Sequence, residues 1–136
     1  MDEKQILLEE WKDIRETLRY FGNKRFAQLT VFIAASGFMI DAFLKQTSSQ
    51  SRTVFPITGM LLAIAFLVLE VSAVRYWKAF VKRGEEIESK LPTLELMTHN
   101  RPSPTGLKIL STGTAATYTL YSVTFLYWAL SFFLWR

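Results

Sequence analysis

Residues 109–135 read ILSTGTAATYTLYSVTFLYWALSFFLW, 27 positions without one charged side chain. As a helix, that run exceeds the roughly 20 apolar residues needed to cross a bilayer's hydrocarbon core. A soluble helix of this length needs a polar face, and this one offers only hydroxyls. Residues 26–40 and 53–69 are also free of charge, and the charges collect between the three blocks. Pro56, near one end of the second block, is the only proline inside them. The expected fold is therefore an all-α integral membrane protein with three transmembrane helices, at residues 26–44, 55–74 and 109–135. An N-terminal amphipathic cytosolic helix fills residues 1–25, and a cytosolic helical extension and loop of the second span fill 75–108.

Lysine and arginine orient the spans. Six precede the first span, two lie between the first and second, seven between the second and third, and one follows the third. The positive-inside rule puts the N-terminus and residues 75–108 in the cytosol, with the linker QTSSQSRT and the C-terminus outside. Tyr76, Trp77, Trp128 and Trp135 fall where aromatic belts lie. Ala34-Ala35-Ser36-Gly37 resembles a signal-peptide cleavage site, but the 25 residues ahead of the span are too long and too acidic for an ordinary leader. Pro56 suits the first turn of the second helix, where its missing N–H does no harm. Arg101-Pro102-Ser103-Pro104-Thr105-Gly106 is the clearest break in the chain and predicts the turn into the third span.

The first 21 residues are patterned. Leu7, Trp11, Ile14, Leu18 and Phe21 recur at heptad spacing and form one stripe on a helix. Lys12, Arg15 and Arg19 make a basic stripe, and Glu9, Asp13 and Glu16 an acidic one. Such a helix either lies on the inner leaflet or packs against another helix. Acids equal bases through residue 25, six each, which favours helix packing over an anionic membrane surface. Trp77, Phe80, Gly84, Ile87 and Leu91 repeat the spacing and supply the natural partner, which Pro92 ends. Gly22-Asn23 is either an elbow or part of one long helix. The basic residues of this module serve topology, or form a surface for lipid headgroups, nucleotides or a short nucleic acid.

Two carboxylates fall within the spans. Asp41 and Glu70 each sit on a seam of small residues: Ala27, Thr30, Ala34, Gly37, Asp41 on the first span and Gly59, Ala63, Phe66, Glu70, Ala73 on the second. An ionisable group at that depth is costly unless paired or hydrated, so both are expected to face protein. Asp41 has Lys45 at i+4 as a ready ion-pair partner. Glu70 either pairs with Arg25 or Arg75, or lines a cation path as a ring contributed by several subunits; a proton relay lacks the further polar steps it needs. The third span's seam of Gly113, Thr117, Leu120, Thr124 and Ser131 suits close packing. Its hydroxyls either bond back to their own helix or line a pore, with Thr117 and Thr124 as pore candidates.

The chain has no cysteine, and His99 is its only histidine, so no thiolate or histidine metal site is expected. No HExxH or GxSxG motif occurs, no cofactor is expected, and an enzyme is disfavoured. Three spans enclose no water path alone, which points to a homo-oligomer in lipid or a subunit inside a larger assembly. The leading expectation is a channel or pore gated through its cytosolic basic module, and the alternative a non-conducting adaptor that binds a partner protein through its N-terminal helix. The layout, a short basic helical part (WKDIRETLRYFGNKRF with RYWKAFVKR) beside a few plain spans, resembles the small membrane effectors of bacterial nucleotide-signalled anti-phage systems, Hailong-type channel effectors among them. The resemblance implies an oligomeric channel in the bacterial inner membrane, controlled by an anionic nucleotide or short oligonucleotide. Lys12, Arg15, Arg19, Lys78, Lys82 and Arg83 would be its contacts.

Overall fold

The structure, a computed structural model, describes residues 2–46, 48–91 and 113–134. All regular structure among them is helical: α1 spans Glu3–Lys45, α2 Ser49–Lys90 and α3 Gly113–Leu134. The proline-rich break at 101–106, with His99, Lys108 and Trp135, lies outside the described residues.

α1 runs unbroken for 43 residues, about 65 Å at 1.5 Å per residue. Residues 1–25 and 26–44 are thus parts of one helix, and Gly22-Asn23 is passed through rather than bent. No proline interrupts the stretch, and a single glycine weakens a helix by only about 1 kcal/mol. α2 is equally continuous over 42 residues. It begins earlier than the expected Phe55, because nothing between Ser49 and Phe55 breaks a helix; the N–H of Arg52 already bonds the Ser48 carbonyl. Pro56 consequently sits inside the helix and not in its first turn. The cost is one backbone bond, which apolar helices tolerate when neighbours pack around them.

Two layers of packing follow from the sequence seams. In the first, the N-terminal half of α1 and the C-terminal half of α2 form an antiparallel hairpin around Trp11, Ile14 and Ile87, flanked by Leu7, Leu18, Phe80 and Leu91. The expected heptad seams are those that meet, except at Trp77, which is exposed. In the second layer α3 joins, running antiparallel to α2. Its Thr114 reaches the level of Glu70, and its Trp128 that of Gly59. Phe32, Ala63 and Tyr121 form the centre of this three-helix part, with the rings of Phe32 and Tyr121 edge to face at 4.6 Å.

The α2 seam is buried as expected, Gly59, Ala63, Glu70 and Ala73 all facing neighbours. The α1 seam is not. Ala27, Thr30, Ala34, Gly37 and Asp41 are all exposed, and Phe32, Ser36 and Phe43 face inward instead. Bulk decides this: the aromatic rings fill the space between three helices better than small residues do. Trp128, expected at a membrane interface, is fully buried between Gly59 and Phe43. Outside the core the protein presents large apolar side chains on every helix, among them Phe26, Phe38, Leu61, Val68, Leu126 and Phe133. α1 and α2 are long and apolar enough to cross a membrane. α3 carries no charge over its 22 residues and intersperses its apolar side chains with hydroxyls.

Candidate functional site

One cluster ties all three helices together. Arg25 lies on the inner side of α1, Glu70 on the buried seam of α2, and Thr114 in the first turn of α3. Arg25 Nε donates to Glu70 Oε1 at 3.0 Å, and Arg25 Nη2 donates to the same oxygen. Nη2 also donates to Thr114 Oγ1 at 3.0 Å. The Glu70 side chain is 2% exposed and that of Arg25 21%. A carboxylate this deep would be strongly destabilising alone. Here the guanidinium supplies both the counter-charge and two donors, and the hydroxyl takes up a third N–H.

Of the two partners expected for Glu70, the structure selects Arg25; Arg75 is exposed. The carboxylate is spent inside the protomer and faces no outer surface, so this arrangement does not present it to neighbouring copies as a ring. Asp41 behaves otherwise. It is exposed rather than turned toward a packing face, and it bonds Lys45 Nζ at 2.7 Å. Its position near the end of α1, with the cation one turn on, removes the need for burial.

Three of the six serine and threonine hydroxyls of α3 turn back on their own helix. Thr117 Oγ1 donates to the Gly113 carbonyl, Thr119 to Ala115 at 2.9 Å and Ser131 to Tyr127 at 2.8 Å. Thr117 is buried against its neighbours and Thr124 half-buried, so neither lines an open channel within one protomer.

The hairpin carries its own polar contacts. Trp11 Nε1 donates to Glu88 Oε1 at 3.2 Å, and the Arg15 guanidinium lies 4.8 Å from the Trp11 ring centre. Arg83 grips Glu10 with a fork, Nε to Oε1 at 2.6 Å and Nη2 to Oε2 at 2.9 Å, and reaches Glu86 at 3.3 Å. The hydrogen bond from Arg83 holds the Glu10 carboxyl below its usual value of 4.5. The same bond, with that to Glu86, raises the guanidinium.

The six basic residues expected to form one anion-binding surface do not share a face. Lys12, Arg15 and Arg19 line one flank of α1 with Glu16. Arg83 lies on the other flank, in a groove with Glu10, Asp13 and Thr17. Lys78 and Lys82 sit about 180° and 140° around α2 from the buried Ile87, on its outer side. The sequence stripes were set helix by helix, and the packing of α1 on α2 separates them.

Sequence reasoning gave Thr114 no special role among the hydroxyls of α3. It also missed the Trp11–Glu88 bond and the close fit of Trp128 on Gly59. The glycine on a buried seam was the available signal for the last. No group of three or more His, Asp or Glu side chains among the described residues is placed to hold a metal. No protein-family model, curated protein or solved structure matches this chain.

Proposed function

We infer that the protein is a homo-oligomeric membrane channel or pore-forming effector, its three helices spanning the bilayer and its hairpin in the cytosol acting on the gate. The observation that carries this reading is continuity. α1 and α2 run without a break from the hairpin core, at Trp11 and Ile87, to the Arg25–Glu70–Thr114 cluster and beyond. A helix transmits rotation and tilt along its axis. A change in the hairpin therefore reaches the cluster, about 16 Å from Ile14 at 1.5 Å per residue. The apolar outer surface fits lipid. The exposed small-residue stripe of α1 is the kind of face on which membrane helices of neighbouring copies meet.

Orientation follows from the charges: the hairpin carries most of the lysine and arginine and so stays inside. The path for ions is then formed between copies. It is not lined by Glu70, which Arg25 neutralises.

Ion flux from vesicles tests this. The full chain is purified in detergent, shown to be helical and oligomeric, and reconstituted into liposomes loaded with a potassium-sensitive dye. Flux above empty vesicles, altered by Arg25→Gln, supports the channel. A folded oligomer that passes no more ions than empty vesicles, with or without Arg25→Gln, refutes it. The non-conducting adaptor then takes its place, a role that suits an acid paired within its own protomer.

A further inference from the structure

The two flanks of the N-terminal half of α1 carry opposite charge at the same height. On one flank Lys12, Arg15 and Arg19 face a single acid, Glu16. On the other, Asp13 and Glu10 rim a groove of about 380 Å³ floored by Ile14, Ala79 and Phe80. Glu86 adds a third acid there; Arg83 pairs with Glu10 and Glu86, and the Lys90 ammonium also lies within reach of Glu10. Each flank thus holds three charges of one sign and fewer of the other. Asp13 has no ion-pair partner among the described residues, nor have Lys12 and Arg19.

We propose that these flanks are the two halves of a head-to-tail contact between copies of this chain, the basic flank of one copy seated in the acid-rimmed groove of the next. It rests on the oligomeric part of the function proposed above. Copies held in one membrane around a common axis keep α1 at the same level. Matching groups must therefore be level, and they are: Lys12 and Arg15 fall within a turn of Asp13. Tyr76, exposed and stacked on Phe21, stands at the height where Arg19 of the neighbour arrives, and its ring offers a cation–π face. The arginine and lysine stems cover the apolar floor. Because the two surfaces differ, the contact is heterologous and closes into a ring when the rotation allows. Complementary charge fixes its register.

The test uses the full chain in detergent and native mass spectrometry. Lys12→Glu/Arg15→Glu sets acid against acid, and Asp13→Lys sets base against base. Each alone should weaken assembly by at least about tenfold, as like-charge juxtaposition implies. Co-expressed, each variant meets its complement on both flanks, and full-size oligomers should return. That rescue also shows that the single variants fold. A second measurement uses the absence of cysteine. Asp13→Cys/Arg15→Cys places two thiols about 200° apart on one helix, too far round to bond within a chain. Oxidation should then give a ladder beyond the dimer.

A wild-type protein that is monomeric overturns the oligomeric reading and this contact with it. An oligomer of unchanged size in both charge variants, or no ladder on oxidation, overturns the contact alone. So does an unchanged oligomer whose Lys12→Glu/Arg15→Glu variant stops binding phosphatidylserine vesicles, since the basic flank would then be a lipid contact.

Discussion

Replacing Arg25 by leucine leaves the Glu70 carboxylate 2% exposed and without its counter-ion. Removing one partner of a buried pair costs about 3–5 kcal/mol, because the remaining charge stays desolvated. Arg25→Leu should fall in that range. Glu70→Leu should cost less, since Arg25 is 21% exposed and keeps its bond to Thr114, so its charge can turn toward water. Arg25→Leu/Glu70→Leu removes both charges and fills the space with apolar atoms, and it should lie within about 1–2 kcal/mol of wild type or above it. The coupling between the two sites is therefore large, with a double change far milder than the sum of the single ones. The assay is equilibrium unfolding in mixed micelles, followed by far-ultraviolet circular dichroism, for the four proteins side by side. Equal costs for the two single changes, with a double variant that merely adds them, would refute the view that Glu70 depends on Arg25.

The same measurement checks three further expectations. Gly59→Ala puts a methyl group into the indole of the fully buried Trp128 and should destabilise by about 1–3 kcal/mol, whereas an unobstructed helical glycine would gain about 1 from the change; a variant as stable as wild type contradicts that packing. Trp11→Phe keeps the ring but removes the donor to Glu88 and should cost about 1–3 kcal/mol, against about 0.5 or less for Asp41→Ala, whose partner Lys45 is well exposed. Glu10 has a folded-state pKa below its unfolded value, so its pairing with Arg83 stabilises fully above pH 4.5 and fades as pH falls through the folded value. Titrating wild type against Glu10→Gln should show a stability gap that is constant above that point and closes below it; a gap that widens in acid reverses the sign.

How much of this was legible depended on what kind of signal each residue carries. The hairpin seam was readable because Leu7, Trp11, Ile14, Leu18 and Phe21 are apolar among charges, and spacing alone says which side they bury. Inside the apolar spans that contrast vanishes, since lipid and protein accept the same side chains. There the small-residue pattern held for α2, where Gly59 must admit Trp128, and failed for α1, where Phe32 and Phe43 took the inner side. Glu70 was legible as needing a partner because its cost is high wherever it lies. Which arginine answers it depended on how α1 docks on α2, a fact of packing rather than of spacing. Thr114 carries no signal of its own among so many hydroxyls, and only the geometry of Arg25 singles it out.

The position of the Arg25 cluster bears on how a signal from the hairpin would arrive. One guanidinium holds a carboxylate on α2 and a hydroxyl on α3, so α1 cannot slide or turn against either helix without disturbing both bonds. Each bond alone is a modest interaction, but they share one rigid planar donor, so a movement of Arg25 strains both at once. Such a clasp favours two arrangements, engaged and released, over a graded series. In the engaged state the charge is neutralised among the helices. In the released state Arg25, already partly exposed, has water within reach, while Glu70 has none unless the helices part. Release therefore requires separation of α2 from α1 or α3 at this level; on the proposed channel reading, the long unbroken helices would be the levers through which the hairpin applies that force.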